Sequence, residues 1–523
     1  MSPFDHWVLT GAIFIPVVGA IVIALIPKSR EVEIKTVALL TALVTLGLGV
    51  YVLADFDYDT ARRLQFAVNR PWIDVIHARY YVGVDGISLP LLLLSMFITV
   101  LCVIYSWDHF PEPRDPKGFL ILMLILEVGM NGTFVAQDLI LFFVFFELVL
   151  LPMYFMIGRW GGENRQYASI KFFLYTLFGS ALMILSFLAL YWKGGQTFQI
   201  PDLIVNLQRN PLAQSTALLI FGGLFMGFAI KVPMFPFHTW LPDAHTEAPT
   251  VGSVILAAIL LKLGAYGFIR IAIPILPKAA VSWAPWIGGL AVIGIIYGAL
   301  CCLAQRDLKR LIAFSSVAHM GFVMLAIATL TVTGINAAVF GMVAHGLITG
   351  MLFFLAGSIG ERYGTREMRR LGGVLVQAPR LGWILGFCAM ASLGLPGLAG
   401  FWGEFGAILS SYTPANALHQ HIDLFRAYMV IAAIGTVFAA GYLLWMYQRT
   451  AFGVPTPEFE HAHIHDVHVP EWLAWSPMLI LIAFLGIYPH ALFKPINDPA
   501  GRVTSSTYIT SSTGSAPVSA QGR

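Results

Sequence analysis

Seven ionisable side chains lie inside stretches of sequence that are otherwise almost entirely apolar. They include acids, amines and imidazoles: Glu127, Glu147, Lys231, Lys262, His319, His345 and Glu404. A charged side chain at the centre of a membrane-spanning helix costs about 2.5 to 3.5 kcal/mol, so such groups must face protein or water and share partners. Groups of these three types can hold and pass protons, and we expect them to form a polar pathway through the interior.

The composition places these groups in a membrane protein. Of 523 residues, 58% are apolar and only 11% are charged, with a net charge of +3. Soluble domains carry about 25% charged residues, so this chain has more apolar surface than a soluble fold could bury. A soluble enzyme is therefore excluded, and without a basic run there is no evident nucleic-acid surface.

Apolar windows of bilayer length recur along the chain and predict an all-α polytopic protein of about fourteen transmembrane helices. The windows are 7–26, 34–53, 86–106, 118–136, 138–158, 168–192, 214–246, 250–273, 284–304, 308–330, 334–358, 379–412, 427–449 and 472–493. Lys and Arg are more frequent in one set of alternate loops, which the positive-inside rule assigns to the cytoplasm. Both termini are then extracytoplasmic, and we expect a bacterial cell membrane.

Two windows are longer than a bilayer requires and contain prolines near their middle. Pro233 and Pro236 interrupt 214–246, and Pro396 with Gly397 interrupts 379–412. Proline removes a backbone hydrogen bond and clashes with the preceding turn, so both helices should be broken. Broken helices at corresponding positions are typical of inverted repeats around an ion path, here two five-helix repeats formed by spans 4–8 and 9–13.

This reading divides the chain into five parts. Residues 1–117 hold helices 1–3 and an extracytoplasmic loop, in which LQFAV and RYYVGV predict a small hairpin. The half-channel repeats occupy 118–275 and 276–450. A loop and the final helix follow at 451–499. The Ser- and Thr-rich segment 500–523 is expected to be disordered.

The breaks suggest how the buried charges act. Lys231 lies two residues before Pro233, where freed carbonyls let water approach, and Glu147 has no opposite charge in its own helix. We expect these two to form an ion pair that closes to hold the proton of the lysine and opens to release it. Lys262 supplies a second site, His319 and His345 relay protons, and Glu404 ends the axis.

Other polar residues leave alternatives open. Glu127, next to Asn131, serves either helix packing or proton handling. The segment FHTWLPDAHTEAP, which contains His238, Asp243, His245 and Glu247, either stabilises the fold or forms a proton entrance. The histidines of HAHIHDVH at 461–468 follow two prolines in a loop, so a solvated loop is favoured over a metal site. Asp307, Lys309 and Arg310 indicate the start of a helix.

The four cysteines lack the spacing of a metal site. No motif for nucleotide binding or hydrolysis is present, so the chain must take its energy from an ion gradient or a neighbouring subunit.

Four strings carry a family resemblance: KVPMFPFHTWLPDAHTEAPT (231–250), ILLKLGAYG (259–267), RDLKRLIAFSSVAHMG (306–321) and GLPGLAGFWGEF (394–405). They resemble the antiporter-like subunits of respiratory complex I. The resemblance spans nearly all fourteen helices.

The resemblance implies a proton channel of two inverted half-channels. It places the coupling pair on Glu147 and Lys231, the connecting axis on Lys262, His319 and His345, and the exit on Glu404. Glutamate at that last position is typical of the M (chain 4) type, whereas the L and N types and the sodium/proton antiporters generally have lysine. The L type also carries a long lateral helix after its fourteenth span, which we do not expect in this chain.

The resemblance further implies that the partners are other complex I membrane subunits, especially the L and N types and the lateral helix of L. No cofactor or metal is expected in this chain, because NADH, FMN, Fe–S clusters and quinone belong to partner subunits. The alternatives are a subunit of a multisubunit cation/proton antiporter or membrane-bound hydrogenase complex, and a structural subunit whose buried charges only lock helices. Proton or sodium as the coupled ion is left open.

Overall fold

The computed structural model describes residues 4–512, with the side chains of the last helix described through Ser505. Most of the described residues are helical. Thirteen helical stretches in this part are long and apolar enough to cross a membrane. The predicted twelfth span, 379–412, is not among them because it consists of two 14-residue helices. The multi-pass helical architecture is therefore confirmed.

The N-terminal part consists of three helices and one hairpin. Helices α1 (Asp5–Leu25) and α2 (Glu31–Asp55) precede the antiparallel strands β1 (Gln65–Ile73) and β2 (Ala78–Val84), and α3 (Ser88–Tyr105) follows. Val68 pairs with Val82 and Arg70 with Tyr80. The hairpin predicted from the alternating aromatic and β-branched residues is thus present, which confirms that prediction.

The next helices surround the first break. They are α4 (Pro116–Val135), α5 (Leu139–Leu148), α6 (Leu150–Trp160), α7 (Arg165–Lys193), the short α8 (Ile200–Arg209), α9 (Gln214–Lys231) and α10 (Trp240–Glu247). The window 214–246 is interrupted as predicted, since α9 ends at Lys231 and α10 begins nine residues later in sequence. The interruption between α5 and α6 at Val149, two residues after Glu147, was not expected.

The eighth span runs from Thr250 to Ile275, and its centre is not a regular α-helix. Helix α11 (Thr250–Ile255) leads into a wide π-helical turn over Leu256–Leu260, then α12 (Leu261–Gly267), a second wide turn over Phe268–Ala272, and α13 (Ile273–Ile275). Wide turns of this kind inside helices are frequently found at functional sites. Lys262 lies in the short helix between them.

The second half of the chain surrounds the second break. Its helices are α14 (Pro277–Ala304), α15 (Leu308–Ala328), α16 (Val332–Tyr363), the short α17 (Val374–Gln377), α18 (Pro379–Ser392), α19 (Ala399–Tyr412) and α20 (Ile422–Ala451). Asp307 accepts a hydrogen bond from the backbone N–H of Arg310 and so caps α15, the helix start that the sequence indicates. The bounds of the two repeats and their inverted relation stay predictions.

The chain ends in α21 (Val469–Ile487) and α22 (His490–Ser512). Disorder is predicted for 500–523 and stays a prediction, but the structure continues α22 through residues 500–512. Ile496, Ala500 and Val503 are buried at helical spacing, which supplies the apolar contact that the prediction overlooked. Residues 513–523 lie outside the described part.

One buried ion pair ties the hairpin region to the eighth span. Asp85, just after β2, accepts two hydrogen bonds from the guanidinium of Arg270 at 2.6 and 2.7 Å. It also caps α3 by accepting from the backbone N–H groups of Ile87 and Ser88. Burial alone would raise the pKa of Asp85, but the charge and hydrogen bonds of Arg270 outweigh burial and lower it.

Asp85→Asn should destabilise the fold by about 3 to 5 kcal/mol at neutral pH, because it leaves the Arg270 charge buried without its partner. Asp59→Asn, in the same loop but exposed, is the matched control. Since the pKa of Asp85 is lowered on folding, its contribution is present above pH 4 and lost only as the pH falls through the lowered value. Thermal unfolding in detergent at several pH values measures both effects, and equal melting temperatures for the two variants at pH 7 would contradict the assignment.

Candidate functional site

His319 and Glu404 meet in the second half of the chain. The Nδ1 atom of His319 in α15 lies 2.6 Å from Oε1 of Glu404 in α19, and both side chains are largely buried. A close approach of two helices makes this contact possible. A Cβ atom at Gly403 would come within 2.6 Å of the Gly341 Cα in α16, so only glycine permits this spacing between α16 and α19.

Lys262 and His345 form the second contact. The Nζ atom of Lys262 lies 2.6 Å from Nδ1 of His345 in α16, and both residues are buried. The same Nζ donates to the backbone carbonyl of Ala257, which belongs to the wide turn preceding α12. The local backbone therefore supplies one partner of the amine, and the neighbouring helix supplies the other.

A small cavity joins the two contacts. The rings of His319 and His345 lie 6.0 Å apart between centroids, and a cavity of about 30 Å³ lined by both rings, Glu404, Ser392 and Thr349 lies beside them. The lining is mainly apolar, but these side chains supply polar atoms, and about 10 to 15 Å³ is enough to hold a water molecule. One water could thus bridge the two imidazoles, and Lys262, His345, His319 and Glu404 would then form a continuous series.

Glu147 and Lys231 are near each other, but they are not in contact. Among the described side chains, neither Lys231 Nζ nor Glu147 Oε1 has a hydrogen-bond partner, and no nitrogen–oxygen contact within 4.0 Å joins the two. The ammonium instead lies 4.9 Å from the centre of the Phe146 ring, where a cation–π attraction partly compensates for burial. The predicted pair is therefore open in this structure.

The two lysines lie on helices that touch. A Cβ atom at Gly264 would come within 2.5 Å of the Phe228 carbonyl and 3.1 Å of the Lys231 Cβ, so α12 packs directly against the end of α9. Lys231 ends α9 at the break, and Lys262 lies two residues before Gly264. This packing brings the first half of the chain to the polar series of the second half.

The remaining predicted candidates have different environments. Glu127 is fully buried, and neither carboxylate oxygen has a hydrogen-bond partner in the described part of the chain. In the segment after the first break, Asp243 binds Lys171 at 2.7 Å, and Glu247 accepts from the backbone N–H of Asn164. These two acids thus have the stabilising contacts that one interpretation of the segment requires.

The two histidines of that segment have no such explanation. His245 stacks on Phe353 with ring centroids 4.4 Å apart, and neither ring nitrogen has a partner among residues 4–512. His238 lies against Tyr297, with centroids 5.0 Å apart. Either ring could still take part in proton transfer, so the two interpretations remain open for the histidines.

The histidine-rich segment 461–468 is held by contacts to its backbone and to one carboxylate. Arg362 donates to the carbonyls of His465 and Asp466, and Asp466 accepts from the N–H groups of Arg380 and Leu381 at the start of α18. Within the described residues, no group of three or more His, Cys, Asp or Glu side chains is arranged to hold a metal ion. The segment thus fastens α18 to α16.

Three contacts of the site were missed by sequence reasoning. Ser392 and Tyr442 both place a hydroxyl within 3.2 Å of His319 Nε2. Lys309 is buried and donates to the Ala248 carbonyl, although it was interpreted only as part of a helix start. Ser392 directly precedes the second break, which is a usable signal, but nothing in the local sequence of Tyr442 distinguishes it from a packing residue.

Two family models match most of the chain. The model described as NADH:quinone oxidoreductase/Mrp antiporter, TM, matches residues 136–435, and the amino terminus of NADH-ubiquinone oxidoreductase chain 4 matches residues 63–133. The first alone covers more than half of the sequence. It includes all six residues proposed for the polar series.

Curated relatives are similar over nearly their whole length. NADH-quinone oxidoreductase subunit M of Rickettsia typhi is 38% identical over 93% of this chain and 96% of its own. The subunit M of Rhodobacter capsulatus is 39% identical over 91% and 92%. NADH-ubiquinone oxidoreductase chain 4 of Arabidopsis thaliana is 38% identical over 92% and 94%.

Solved structures share the fold. A chain of respiratory complex I from Thermus thermophilus superimposes with a TM-score of 0.84 at 28% identity, covering 96% of this chain and 99% of that one. A chain of the Mrp complex from Dietzia sp. DQ12-45-1b superimposes with a TM-score of 0.81 at 18% identity, covering 97% and 99%. At that lower identity the similarity shows the fold alone.

Gly403→Ala should destabilise the fold and separate His319 from Glu404, because it forces two helix backbones apart. The added methyl group would overlap the Gly341 Cα, so α19 must move away from α16 and carry Glu404 away from His319. Overpacking of this kind costs about 1 to 3 kcal/mol. Gly441→Ala, which has no atom within 4 Å of the new methyl group, is the matched control. Thermal unfolding in detergent distinguishes them, and an unchanged melting temperature for Gly403→Ala would rule out the tight contact.

Proposed function

The chain belongs to the family of M-type (chain 4) membrane subunits of NADH-quinone oxidoreductase, and on that premise we propose that it carries protons across the membrane through its own buried side chains. The residues of the proposed path are Glu147, Lys231, Lys262, His345, His319 and Glu404. The contact of 2.6 Å between Lys262 and His345 carries the proposal, because it joins an amine and an imidazole that no carboxylate of residues 4–512 contacts.

Membership of this family also indicates where the chain works and with which kind of partner. The chain is a multi-pass subunit of an enzyme complex and works with its other subunits. More finely, we propose L- and N-type subunits and the lateral helix of L as neighbours, a bacterial cell membrane as the location, and both termini on the extracytoplasmic side. NADH, FMN, Fe–S clusters and quinone would be bound by partner subunits, so this chain carries out no redox chemistry.

In the proposed path, a proton leaves Lys262 for Nδ1 of His345 along their short contact. It then crosses the cavity to His319 by way of a bridging water and leaves His319 for Glu404 along the second 2.6 Å contact. Each transfer is between groups within hydrogen-bonding reach or separated by one water, which is the range in which proton transfer occurs.

The first half of the path would act as the switch. An open Glu147–Lys231 pair leaves a buried ammonium stabilised mainly by an aromatic ring, which favours loss of its proton. Closing the pair favours retention of the proton. Because α9 contacts α12 at Gly264, a proton released at Lys231 is next to the helix that bears Lys262.

The unpartnered groups argue against a purely structural subunit. Buried charges that lock helices together do so through contacts, because an unpaired buried charge destabilises a fold. Lys231, Glu147 and Glu127 have buried polar atoms without hydrogen-bond partners in the described part of the chain. The alternative of a cation/proton antiporter or hydrogenase subunit differs in its energy source and ion, and co-purification of the partner subunits separates it from the proposal.

Lys262→Ala in the complete complex should lower both NADH:quinone reductase activity and proton pumping by about tenfold or more, since general acid–base groups contribute 10²–10⁴-fold. Lys262→Arg should fail equally, because guanidinium keeps the charge but does not release its proton. Lys278→Ala, an exposed lysine at the start of α14, is the control. Assembly is checked on native gels, and rescue by Lys262→Arg would show that only the charge matters.

Glu147→Gln tests whether the charge of Glu147 is needed while the packing of the side chain is kept. The amide has nearly the same shape but cannot form an ion pair with Lys231, so we expect pumping to fall about tenfold in assembled complexes. Glu147→Asp should retain more activity because it keeps the carboxylate on a shorter side chain. Pumping is measured in membrane vesicles without sodium, which also tests proton as the ion. Full pumping by Glu147→Gln would exclude the pair from the path.

A further inference from the structure

A cavity of about 270 Å³ lies beside the end of the eighth span, next to the hairpin region. Its walls come from the segment before β1, the residue after β2, helix α8, the end of the eighth span and helix α22. Three guanidinium groups line it, those of Arg62, Arg270 and Arg502, whereas Asp85 is the one acid among its described lining residues. The cavity therefore has an excess of positive charge.

Asp85 cannot balance all three arginines, because its oxygens are already engaged. Both oxygens accept from Arg270, and Oδ1 also accepts from two backbone N–H groups at the start of α3. Within the described residues, no carboxylate oxygen lies within 4.0 Å of a guanidinium nitrogen of Arg62 or Arg502. The rest of the chain contains no Asp or Glu. Neither guanidinium is therefore paired with an acidic side chain of this protein.

Arg62 and Arg502 meet where the cavity opens. Nη1 of Arg502 lies 3.4 Å from the backbone carbonyl of Arg62, and both residues keep a substantial exposed surface. Arg270 is deeper, with 11% of its side chain exposed. Burial of the rest of the Arg502 side chain and the positive charges of Arg270 and Arg62 lower the pKa of Arg502 and outweigh the attraction of Asp85. A bound anion would offset the repulsion among these three cations.

Other acids near this opening leave the donors of Arg62 and Arg502 available. Asp202 of α8 accepts a hydrogen bond from Gln199 at 2.8 Å and does not line the cavity. Asp59 and Asp498 line a neighbouring cavity, which also includes Arg62. Among the described ion pairs, none joins these three acids to either guanidinium.

The chemistry of the walls indicates the kind of anion that fits. Guanidinium binds phosphate through paired N–H···O hydrogen bonds, and two guanidiniums at one opening can share its oxygens. A water molecule takes up about 30 Å³ in the liquid, so the cavity has several times that room. Much of its remaining wall is apolar, including Ile200, Ile204, Val205, Ile269 and Val503. A phosphate group attached to an apolar body would use both kinds of wall.

The position of the cavity favours a lipid as the source of that phosphate. Arg270 lies five residues before Ile275, where the eighth span ends. The ends of membrane-spanning helices reach the headgroup region of a bilayer leaflet. Val205 of α8 is 44% exposed, so part of the apolar wall is accessible from outside the bundle.

We propose that this cavity binds the phosphate group of an anionic phospholipid, with Arg62 and Arg502 as its hydrogen-bond donors. Arg270 adds positive charge at the deeper end while it stays paired with Asp85. The excess of positive charge favours a lipid with a net negative headgroup over a zwitterionic one. None of the six residues of the proposed proton path lines this cavity, so the lipid site does not depend on that path.

The test is photocrosslinking in the complete complex, reconstituted into phosphatidylcholine bilayers in phosphate-free buffer. The probe is phosphatidylglycerol with a photoreactive group at the start of one acyl chain. Peptides that contain Ile204 or Val503 should be labelled, and excess unlabelled phosphatidylglycerol should compete, whereas added phosphatidylcholine should not. Labelling of these peptides should fall about tenfold in the double variant Arg62→Gln/Arg502→Gln, because two charge-assisted donors are lost.

Arg63→Gln is the matched control, since Arg63 is in the same segment but lines only the neighbouring cavity. Equal labelling of the double variant and Arg63→Gln would overturn the site. Inorganic phosphate separates the two sources of the anion: if it displaces the probe as well as phosphatidylglycerol does, the lipid assignment is wrong. Assembly is checked on native gels. If the double variant does not assemble, Arg502→Gln alone decides, and labelling equal to that of Arg63→Gln overturns the inference.

Discussion

The free-energy cost of keeping a charged side chain away from water determines the surroundings of the buried ionisable groups in this protein. A bilayer-spanning bundle offers an ionisable side chain three ways to offset that cost: a partner of complementary chemistry, a polar cavity or a ring face. The series from Lys262 to Glu404 uses the first two, at Lys262 with His345 and at His319 with Glu404. Lys231 uses the third, since it lies over Phe146. The two parts of the proposed path are therefore in different electrostatic states within one structure.

Backbone irregularity makes those arrangements possible. Regular helices satisfy their own carbonyls and leave nothing for a buried amine, whereas the wide turn before α12 presents the Ala257 carbonyl to Lys262. The proline break ends α9 at Lys231, and glycines at 264 and 403 allow backbones to approach closely enough for long side chains to meet. These departures from regular helix or ordinary packing lie at or near residues of the proposed path.

The sequence predicted the features that depend on composition and local pattern. Apolar windows located the spans, proline placed both breaks, and strand alternation predicted the hairpin. The contacts between side chains of different helices were harder to predict from the sequence, because they depend on the rotation of each helix about its axis. Nothing local shows that Tyr442 faces His319 or that Lys231 lies over an aromatic ring. The last helix shows a different limit: its low apolar content suggested disorder, yet Ile496, Ala500 and Val503 follow the helical spacing that predicts an amphipathic helix.

The contrast between paired and unpaired groups bears on mechanism. A bundle stabilised only by its buried charges would pair all of them, because each unpaired charge raises its energy. Here Glu147 and Lys231 have buried atoms without partners, although they are close enough for their charges to interact. The pair lies beside the interruptions of α5 and α9, where movement of either helix end would change the distance between the two side chains. In the proposed switch, moving a proton onto or off Lys231 would change which arrangement is favoured, so protonation and helix position would become a single equilibrium at this point of the chain.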